Sequence, residues 1–489
     1  MKTFIGIDLG TSSVKLLLVN EQGKILASHS ENYPIYYPQP GWSEQHPEDW
    51  FLGVDRGIAA LLEGQDKNAV KGIGFGGQMH GLVVLDQDGA VIRPCILWND
   101  GRTEKQTAYL NEVVGKQTLS AYTANIAFAG FTAPKILWLK ENEPQNFAKI
   151  DKIMLPKDYL VYRMTGVHAC DYSDASGMLL LDVKNKRWSE EMCRLCSVKQ
   201  EWLPTLYESF EKVGTLSQKL ASHWGLNQDV VVCAGAGDNA AAAIGVGAVK
   251  DGDCNISLGT SGTVFISQNV FHVDNQNALH SFAHANGKHH LMGCILSAAS
   301  CNSWWMNVLN SNEYSVEQKG AEEYLGENNV YFLPYLMGER SPHNDVNAKG
   351  AFLGLRPDTT RVQMTLAVME GVAFALRDCV EIARENGMEI NRTMLCGGGA
   401  KSQLWKKIIA NVLNVEVVCP KTEQGPSFGA AILAMVAVGA YQNVDMAVKA
   451  IVKEKSSIYA ETELVEKYQK RYETFKVFYP ALKDVYKII

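Results

Sequence analysis

The sequence predicts an α/β protein with two domains. Its 489 residues exceed the roughly 250 to 300 at which a single hydrophobic core stops growing. A motif near the start of the chain, Ile7 to Ser13, returns as Ile256 to Gly262 and divides the chain almost in half. In both halves, apolar runs of strand length alternate with longer amphipathic segments, which is typical of α/β proteins. We therefore expect two domains, residues 1–248 and 249–489, with a cleft between them.

Composition and charge favour a protein that acts on small molecules. The net charge is −7 and no long Lys/Arg run is present, so neither a nucleic acid nor an anionic membrane is an expected partner. The 11 cysteines lack paired spacing, which indicates reduced thiols. The chain begins with a strand pattern, Phe4 to Ile7, instead of the apolar core of a signal peptide. We expect a cytoplasmic protein.

The repeated motif predicts two β-hairpins that expose backbone N–H groups at their tips. The first tip is Gly10-Thr11-Ser12-Ser13, and the second is Gly259-Thr260-Ser261. Glycine permits close approach of a ligand, while hydroxyl and N–H groups can hold phosphate oxygens. Asp8, just before the first tip, can hold Mg²⁺ through water. A plain hairpin with an acidic turn residue is the alternative for one copy alone, but two facing tips could clamp one triphosphate.

Asp238 is a candidate general base. It lies in Gly235 to Ala240, after the apolar run Val230 to Cys233 and before a small-residue helix. Ligands of α/β proteins bind at such strand ends. A hydroxyl that attacks phosphorus must lose its proton, and a positioned carboxylate can accept it. A helix N-cap is the alternative role for this residue.

Two polar loops are candidates for binding a sugar. The loop Gly76 to Gly81 follows a strand pattern and presents His80, whose imidazole can hydrogen-bond hydroxyl groups, although a lone loop histidine is usually structural. The segment Trp98 to Arg102 adds an aromatic face and polar groups. The alternative for this segment is that Asp100 and Arg102 pair with each other.

The glycine-rich turn Gly397 to Gln403 follows a strand pattern and opens a predicted helix. A backbone without side chains can pack there against a flat base or a phosphate. Further helices are predicted at Pro47 to Leu62, at Arg361 to Asn386 with Gly387 as C-cap, and from Ser427.

Together these residues resemble the FGGY family of carbohydrate kinases over essentially the whole chain. Gly130 to Glu141 is similar to one long family signature, and Gly350 to Leu355 leading to Ala367 to Glu370 is similar to another. The resemblance implies two domains of the actin, hexokinase and Hsp70 type, a ribonuclease H-like fold. Each domain would have a central mixed sheet, and the active site would lie in the cleft between them.

The resemblance also implies roles for the candidate residues. Asp238 would be the proton acceptor, and Asp8 would be the phosphate and Mg²⁺ residue. The residues implied to bind ATP are Gly10, Thr11, Ser12, Ser13, Lys15, Gly259, Thr260, Gly398, Gly399, Ser402 and Gln403.

The loop with Met79 and His80 argues against glycerol as the acceptor that the resemblance implies, because glycerol kinases of this family carry an Arg-Glu pair there. The resemblance thus implies phosphorylation of D-xylulose to D-xylulose 5-phosphate in pentose catabolism, and it suggests a homodimer. The implied sugar contacts are Met79, His80, Asn239, Trp98 and Asp100. The alternatives are a kinase with ribulose, gluconate or glycerol as the acceptor, or a non-catalytic protein that uses ATP as a switch.

Overall fold

The computed structural model describes residues 1–422 and 424–489, which form two seven-stranded mixed sheets. The order of strands in the first sheet is β5-β6-β4-β1-β2-β3, with β7 paired beside β4. The strands of this sheet are β1 Thr3–Leu9, β2 Ser13–Asn20, β3 Ile25–Asn32, β4 Val70–Gly77, β5 Lys212–Thr215, β6 Val231–Cys233 and β7 Ala236–Gly237.

The second sheet is built from the second half of the chain. Its strand order is β10-β11-β9-β8-β12-β13-β14. Its strands are β8 Cys254–Leu258, β9 Gly262–Gln268, β10 His280–Ala283, β11 His289–Ile295, β12 Arg392–Cys396, β13 Glu416–Pro420 and β14 Glu454–Ile458. The prediction of two domains with a central mixed sheet each is confirmed.

Helices cover both sheets. The longer ones are α1 Pro47–Leu61, α2 Lys116–Thr123, α3 Thr132–Asn142, α4 Pro156–Thr165, α5 Gln218–Trp224, α6 Asp238–Val246, α7 Ala299–Val308, α8 Arg361–Glu385, α9 Gln403–Leu413, α10 Gly425–Ala437, α11 Val444–Ile451, α12 Thr462–Phe475 and α13 Phe478–Tyr486. Short helices lie at Glu104–Ala108, Pro144–Phe147, Tyr172–Ala175, Glu190–Leu195 and Tyr314–Glu317. Short paired strands lie at Glu44–Gln45 with Cys95–Ile96, Val83–Leu85 with Lys152–Met154, Ala169–Asp171 with Thr205–Tyr207, Leu181–Asp182 with Arg187–Trp188, and Tyr331–Leu333 with Ala351–Leu353. Over the described ranges, no helix combines the length and the hydropathy that a membrane crossing requires.

The predicted helix boundaries hold with small corrections. Helix α1 ends one residue before the predicted Leu62, and Gly387 has the left-handed conformation (φ 85°) expected just after α8. Helix α10 begins at Gly425, two residues before the predicted Ser427. The earlier start is compatible with Pro426, because the first turn of a helix needs no backbone N–H from proline.

Both copies of the repeated motif form antiparallel hairpins, as predicted. In the first hairpin Asp8 lies opposite Lys15, and in the second Leu258 lies opposite Gly262. The surroundings repeat as well, since β1 pairs in parallel with β4 and β8 pairs in parallel with β12. The two tips are thus equivalent positions in two similar sheets.

Helices α6 and α10 pack closely between the two sheets. A Cβ atom added to Gly429 of α10 would lie 1.8 Å from the carbonyl oxygen of Ala241 in α6, and one added to Gly6 of β1 would lie 1.9 Å from that of Ser427. The core around these helices contains residues of both sheets, such as Phe4 and Phe265. Because α10 lies in the chain between β13 and β14 of the second sheet yet packs on the first sheet, the division at residue 248 stays a prediction.

Candidate active site

A cavity of about 350 Å³ brings four of the predicted site residues together. Asp8, Lys15, Asp238 and Asn239 line it from the first half of the chain. The second half of the chain contributes the lining residues Asn255, Ser257, Cys396, Gly397, Gln424, Gly425 and Pro426. The predicted cleft between the two halves is therefore present, and both of its acidic residues come from the first half.

Asp238 is the first residue of α6, and the N-cap position belongs to Gly237. The N-cap alternative for Asp238 is therefore wrong. Its Oδ1 accepts hydrogen bonds from the backbone N of Asn239 (2.7 Å) and from Nδ2 of the same residue (2.9 Å). Burial raises the pKa of Asp238 to about 6, and the hydrogen bonds from Asn239 oppose that rise. The group is thus a carboxylate at neutral pH, with a pKa close to that of an effective base.

A buried polar network holds the backbone just before Asp238. The backbone N of Gly237 donates to Oγ of Ser173 (3.1 Å), which donates to Oδ2 of Asp171 (2.5 Å). Asp171 in turn pairs with the buried Lys157 at 2.8 Å. Sequence reasoning missed this network, because Ser173 lies 64 residues from Gly237 and carries no local signal. The network fixes where α6 begins.

Asp8 lies at the end of β1. Its pKa is raised to about 7, first by burial and then by the negative charge of Asp238, while Lys15 opposes the rise. A cation beside Asp8 would relieve this cost. Mg²⁺ is typically held by one or two carboxylates together with phosphate oxygens and waters, and the site offers such a carboxylate. Among residues 1–422 and 424–489, no group of three or more His, Cys, Asp or Glu side chains is arranged to hold a metal ion by itself.

The first hairpin tip is held by three side chains. The hydroxyl of Tyr33 donates to the carbonyl of Gly10, and Nε2 of Gln45 donates to the carbonyl of Thr11 (2.7 Å). Nε1 of Trp98 donates to Oγ1 of Thr11 (2.9 Å). Trp98, predicted as a sugar contact, thus contacts the tip, and its contact with a sugar stays a prediction. The sequence did not indicate that Tyr33 and Gln45 contact this tip, because they lie 23 and 34 residues from their partners in the chain.

The second hairpin tip is held by the start of α7. The backbone N of Ala298 donates to the carbonyl of Thr260, and that of Ala299 donates to the carbonyl of Gly259, both at 2.9 Å. Oγ of Ser300 also donates to the carbonyl of Thr260 (2.7 Å). Both tips lie outside the lining of the central cavity, so their action as a triphosphate clamp stays a prediction.

Met79 connects the predicted sugar loop to Asp238. Its side chain is 6% exposed and packs directly on Gly237, where an added Cβ atom would lie 2.8 Å from Sδ. The loop after β4 is therefore in contact with the residue that precedes the candidate base.

The His80 ring is fixed in orientation. Its Nδ1 lies 2.7 Å from the carbonyl oxygen of Gly177, and its face stacks on Phe131 with centroids 4.6 Å apart. A Cβ atom on residue 177 would lie 2.4 Å from the ring, so only glycine fits there. Burial lowers the pKa of His80 to about 3, which keeps the imidazole neutral. Since a carbonyl only accepts, Nδ1 carries the proton and Nε2 is a hydrogen-bond acceptor.

Asp100 forms the ion pair that was the alternative to a sugar contact. Its carboxylate is buried, pairs with Arg102 at 2.7 Å and accepts from the backbone N of Ser43 at 2.6 Å. The Arg102 guanidinium also stacks on the ring of Trp42, 3.7 Å from its centroid. A contact between Asp100 and the sugar stays a prediction.

A second cavity, of about 540 Å³, contains the predicted nucleotide residues Gly398, Gly399, Ser402 and Gln403. Ser402 caps α9, since its Oγ accepts from the backbone N of Trp405 (3.2 Å). Residues in and near α7 and the helix Tyr314–Glu317 also line this cavity, and the sequence did not indicate them. The lining also includes Ala299, Asn302, Ser303, Tyr314, Ser315 and Gln318. Because Gly397 lines the central cavity and Gly398 lines this one, the two cavities adjoin.

Comparison with family models gives a match to most of the chain. Residues 3–245 match the N-terminal domain of the FGGY family of carbohydrate kinases, and residues 254–438 match the C-terminal domain of the same family.

Individual proteins are similar over almost their whole length. A xylulose kinase from Escherichia coli (strain K12) is 40% identical over 482 residues, which are 98% of this chain and 99% of that one. A crystal structure of a "xyloylose kinase" from Brucella ovis has a TM-score of 0.94 at 39% identity and covers 99% of this chain and 100% of its own. A gluconate kinase from Lactobacillus acidophilus has a TM-score of 0.95 at 26% identity, with 99% of each chain covered.

Proposed function

This chain belongs to the FGGY family of carbohydrate kinases, and from that membership we propose that it transfers the γ-phosphate of ATP to D-xylulose, giving ADP and D-xylulose 5-phosphate. The observation that carries the proposal is the contact of Met79 with Gly237, beside a cavity lined by Asp8 and Asp238. A sugar held by the loop of Met79 and His80 would have a hydroxyl within reach of Asp238. The xylulose kinases named above support D-xylulose as that sugar.

The proposed reaction is a direct phosphoryl transfer. The terminal hydroxyl oxygen of the sugar attacks the γ-phosphorus while Asp238 accepts the hydroxyl proton. The new bond joins that oxygen to phosphorus, and the bond to the β-phosphate oxygen breaks, so ADP leaves. Asn239 keeps the Asp238 carboxylate oriented through the two hydrogen bonds it donates to Oδ1. Adenosine would occupy the cavity with Gly398 and Gln403, and the phosphates would extend toward Asp8 and Lys15.

We propose that Asp8 holds Mg²⁺ through water. When bound, this ion would neutralise charge that develops on the phosphate oxygens. The Lys15 ammonium, opposite Asp8 in the hairpin, adds a second positive charge from the protein itself. Trp98, Gln45 and Tyr33 keep the first tip in place for the phosphates. The protein would be cytoplasmic and would form a homodimer. Each chain would divide into its two domains at residue 248.

A panel of acceptors tests the proposed substrate. ADP release is measured with D-xylulose, D-ribulose, D-gluconate and glycerol, each over a range of concentrations. We expect the largest kcat/KM for D-xylulose, by about 10²-fold over glycerol, because glycerol leaves the buried polar groups of a sugar site unpaired. Gluconate is the most informative competitor, since a gluconate kinase shares this fold at a TM-score of 0.95. A higher kcat/KM for any of the other three would contradict the proposal, and ATP binding without turnover on any of them would indicate a nucleotide switch.

The pH profile is expected to report Asp238. Because its pKa is raised to about 6, the carboxylate is protonated and inactive as a base below that pH and ionised above it. We expect kcat/KM for D-xylulose to rise with pH, with a midpoint near the pKa of about 6, and then to level off. The measurement is kcat/KM from pH 5 to 8 at saturating Mg²⁺ and ATP. A rate that is flat down to about pH 5 would mean that no group of this pKa accepts the proton.

A further inference from the structure

The backbone of His80 has an unusual conformation. Its φ of 70° lies in the left-handed region, which residues with a Cβ atom adopt only at an energetic cost. Such a residue persists when its surroundings hold it in place. The contacts around the His80 carbonyl oxygen show which side chains hold His80 in this conformation.

Two side chains from the first turn of α3 bind that carbonyl. Nζ of Lys135 donates to the His80 oxygen at 2.8 Å, and Oγ1 of Thr132 donates to the same oxygen at 3.1 Å. Lys135 donates a second hydrogen bond to the carbonyl of Gly130 at 2.6 Å. The start of α3 therefore binds the peptide that follows His80, while Gly177 binds its ring.

Lys135 is an uncommon kind of lysine. Its side chain is fully buried, and no acidic side chain in the described part of the chain forms an ion pair with it. Burial lowers its pKa to about 7, and a neutral amine still has the two N–H groups that its two carbonyl partners require. A buried amine costs folding free energy unless it is hydrogen-bonded, so the bonds to the carbonyls of His80 and Gly130 are what retain Lys135 here, with the negative charge of Asp100 as a further attraction.

The held geometry determines what Nε2 of His80 can recognise. With its proton on Nδ1 and its pKa lowered by burial to about 3, the ring offers an acceptor at Nε2. An acceptor favours a hydroxyl group over a carbonyl group at the facing carbon of the sugar. Loss of the left-handed backbone would turn this nitrogen away, and displacements near 1 Å are enough to lower rates strongly.

We propose that Lys135 is a positioning residue for sugar binding, which holds His80 in its left-handed conformation so that Nε2 accepts a hydrogen bond from a sugar hydroxyl. The inference rests on the proposed function, in which His80 contacts the sugar. Lys135 itself does not touch the sugar or the reacting atoms.

The first test is Lys135→Met, which keeps an unbranched side chain and removes both donors. We expect KM for D-xylulose to rise about 10- to 100-fold, with a smaller change in kcat and an unchanged KM for ATP. The thermal midpoint should fall modestly, because the carbonyl oxygens of His80 and Gly130 lose the donor that Lys135 supplies. The matched control is Lys140→Met on the same helix, where the exposed amine donates to Ser197, and all of these parameters should be unchanged.

Two further variants separate failure of this inference from failure of the proposed function. If His80→Ala leaves KM for D-xylulose unchanged, the sugar contact and with it the proposed site are wrong. If His80→Ala raises KM while Lys135→Met does not, or if Lys135→Met fails to fold, only the positioning role of Lys135 is wrong. Thr132→Val, which removes the second donor to the same carbonyl, should raise KM in the same direction. In the double variant His80→Ala with Lys135→Met, the increases in KM for D-xylulose should not multiply, because both substitutions act through the His80 ring.

Discussion

Asp238→Asn is expected to lower kcat for sugar phosphorylation by about 10²- to 10⁴-fold, the usual contribution of a general base. The amide has nearly the same size as the carboxylate but cannot accept the proton of the attacking hydroxyl. KM for ATP should change little, because the nucleotide cavity is lined by other residues, among them Gly398 and Gln403. The measurement is ADP release under saturating D-xylulose and ATP.

The control for this variant is Asp229→Asn, the same chemical change at an exposed position of the same half of the chain. It should leave kcat unchanged. Phosphorylation by Asp238→Asn within about tenfold of the unchanged protein would mean that Asp238 is not the base.

Gly429→Ala is expected to destabilise the protein by about 1 to 3 kcal/mol or more, because an added Cβ atom would overlap backbone that cannot rotate away. That atom would lie 1.8 Å from the carbonyl oxygen of Ala241, in the helix that begins with Asp238. Separating α6 from α10 would also move the candidate base, so activity should fall together with the thermal midpoint. The measurement is thermal unfolding followed by circular dichroism.

Gly101→Ala serves as the comparison, since its added Cβ atom would meet its nearest neighbour at an ordinary 3.5 Å. Its thermal midpoint should stay close to that of the unchanged protein. Equal midpoints for Gly429→Ala and Gly101→Ala would show that α6 and α10 tolerate a wider separation than their packing implies.

Features carried by short stretches of sequence could be predicted. The two Gly-Thr-Ser tips are hairpins because a glycine-containing turn between β-favouring runs specifies this structure locally. Asp8 and Asp238 lie in one cavity because Asp8 is near the end of β1 and Asp238 directly follows β7 of the same sheet, at the edge where ligands of α/β proteins bind. The family and its fold were also accessible from the sequence, since long signatures carry them.

Features that depend on distant residues could not be predicted. Tyr33 and Ser173 support the site through contacts with Gly10 and Gly237, and nothing near either residue in the chain indicates its partner. The close packing of α10 on the first sheet is another such feature, because a glycine in a sequence does not show which backbone approaches it. For Asp100, the sequence allowed either a sugar contact or an ion pair, and the three-dimensional contacts were needed to reveal the pair with Arg102.

The proposed roles of Asp238 and His80 are tested together by a crystal structure with D-xylulose and a non-hydrolysable ATP analogue bound. We expect the terminal hydroxyl oxygen of the sugar to lie about 2.6 to 3.2 Å from a carboxylate oxygen of Asp238 and to face the γ-phosphate. Another hydroxyl of the sugar should donate to Nε2 of His80. A sugar bound away from Asp238, or one whose terminal hydroxyl faces away from the γ-phosphate, would contradict the role of Asp238 as the base.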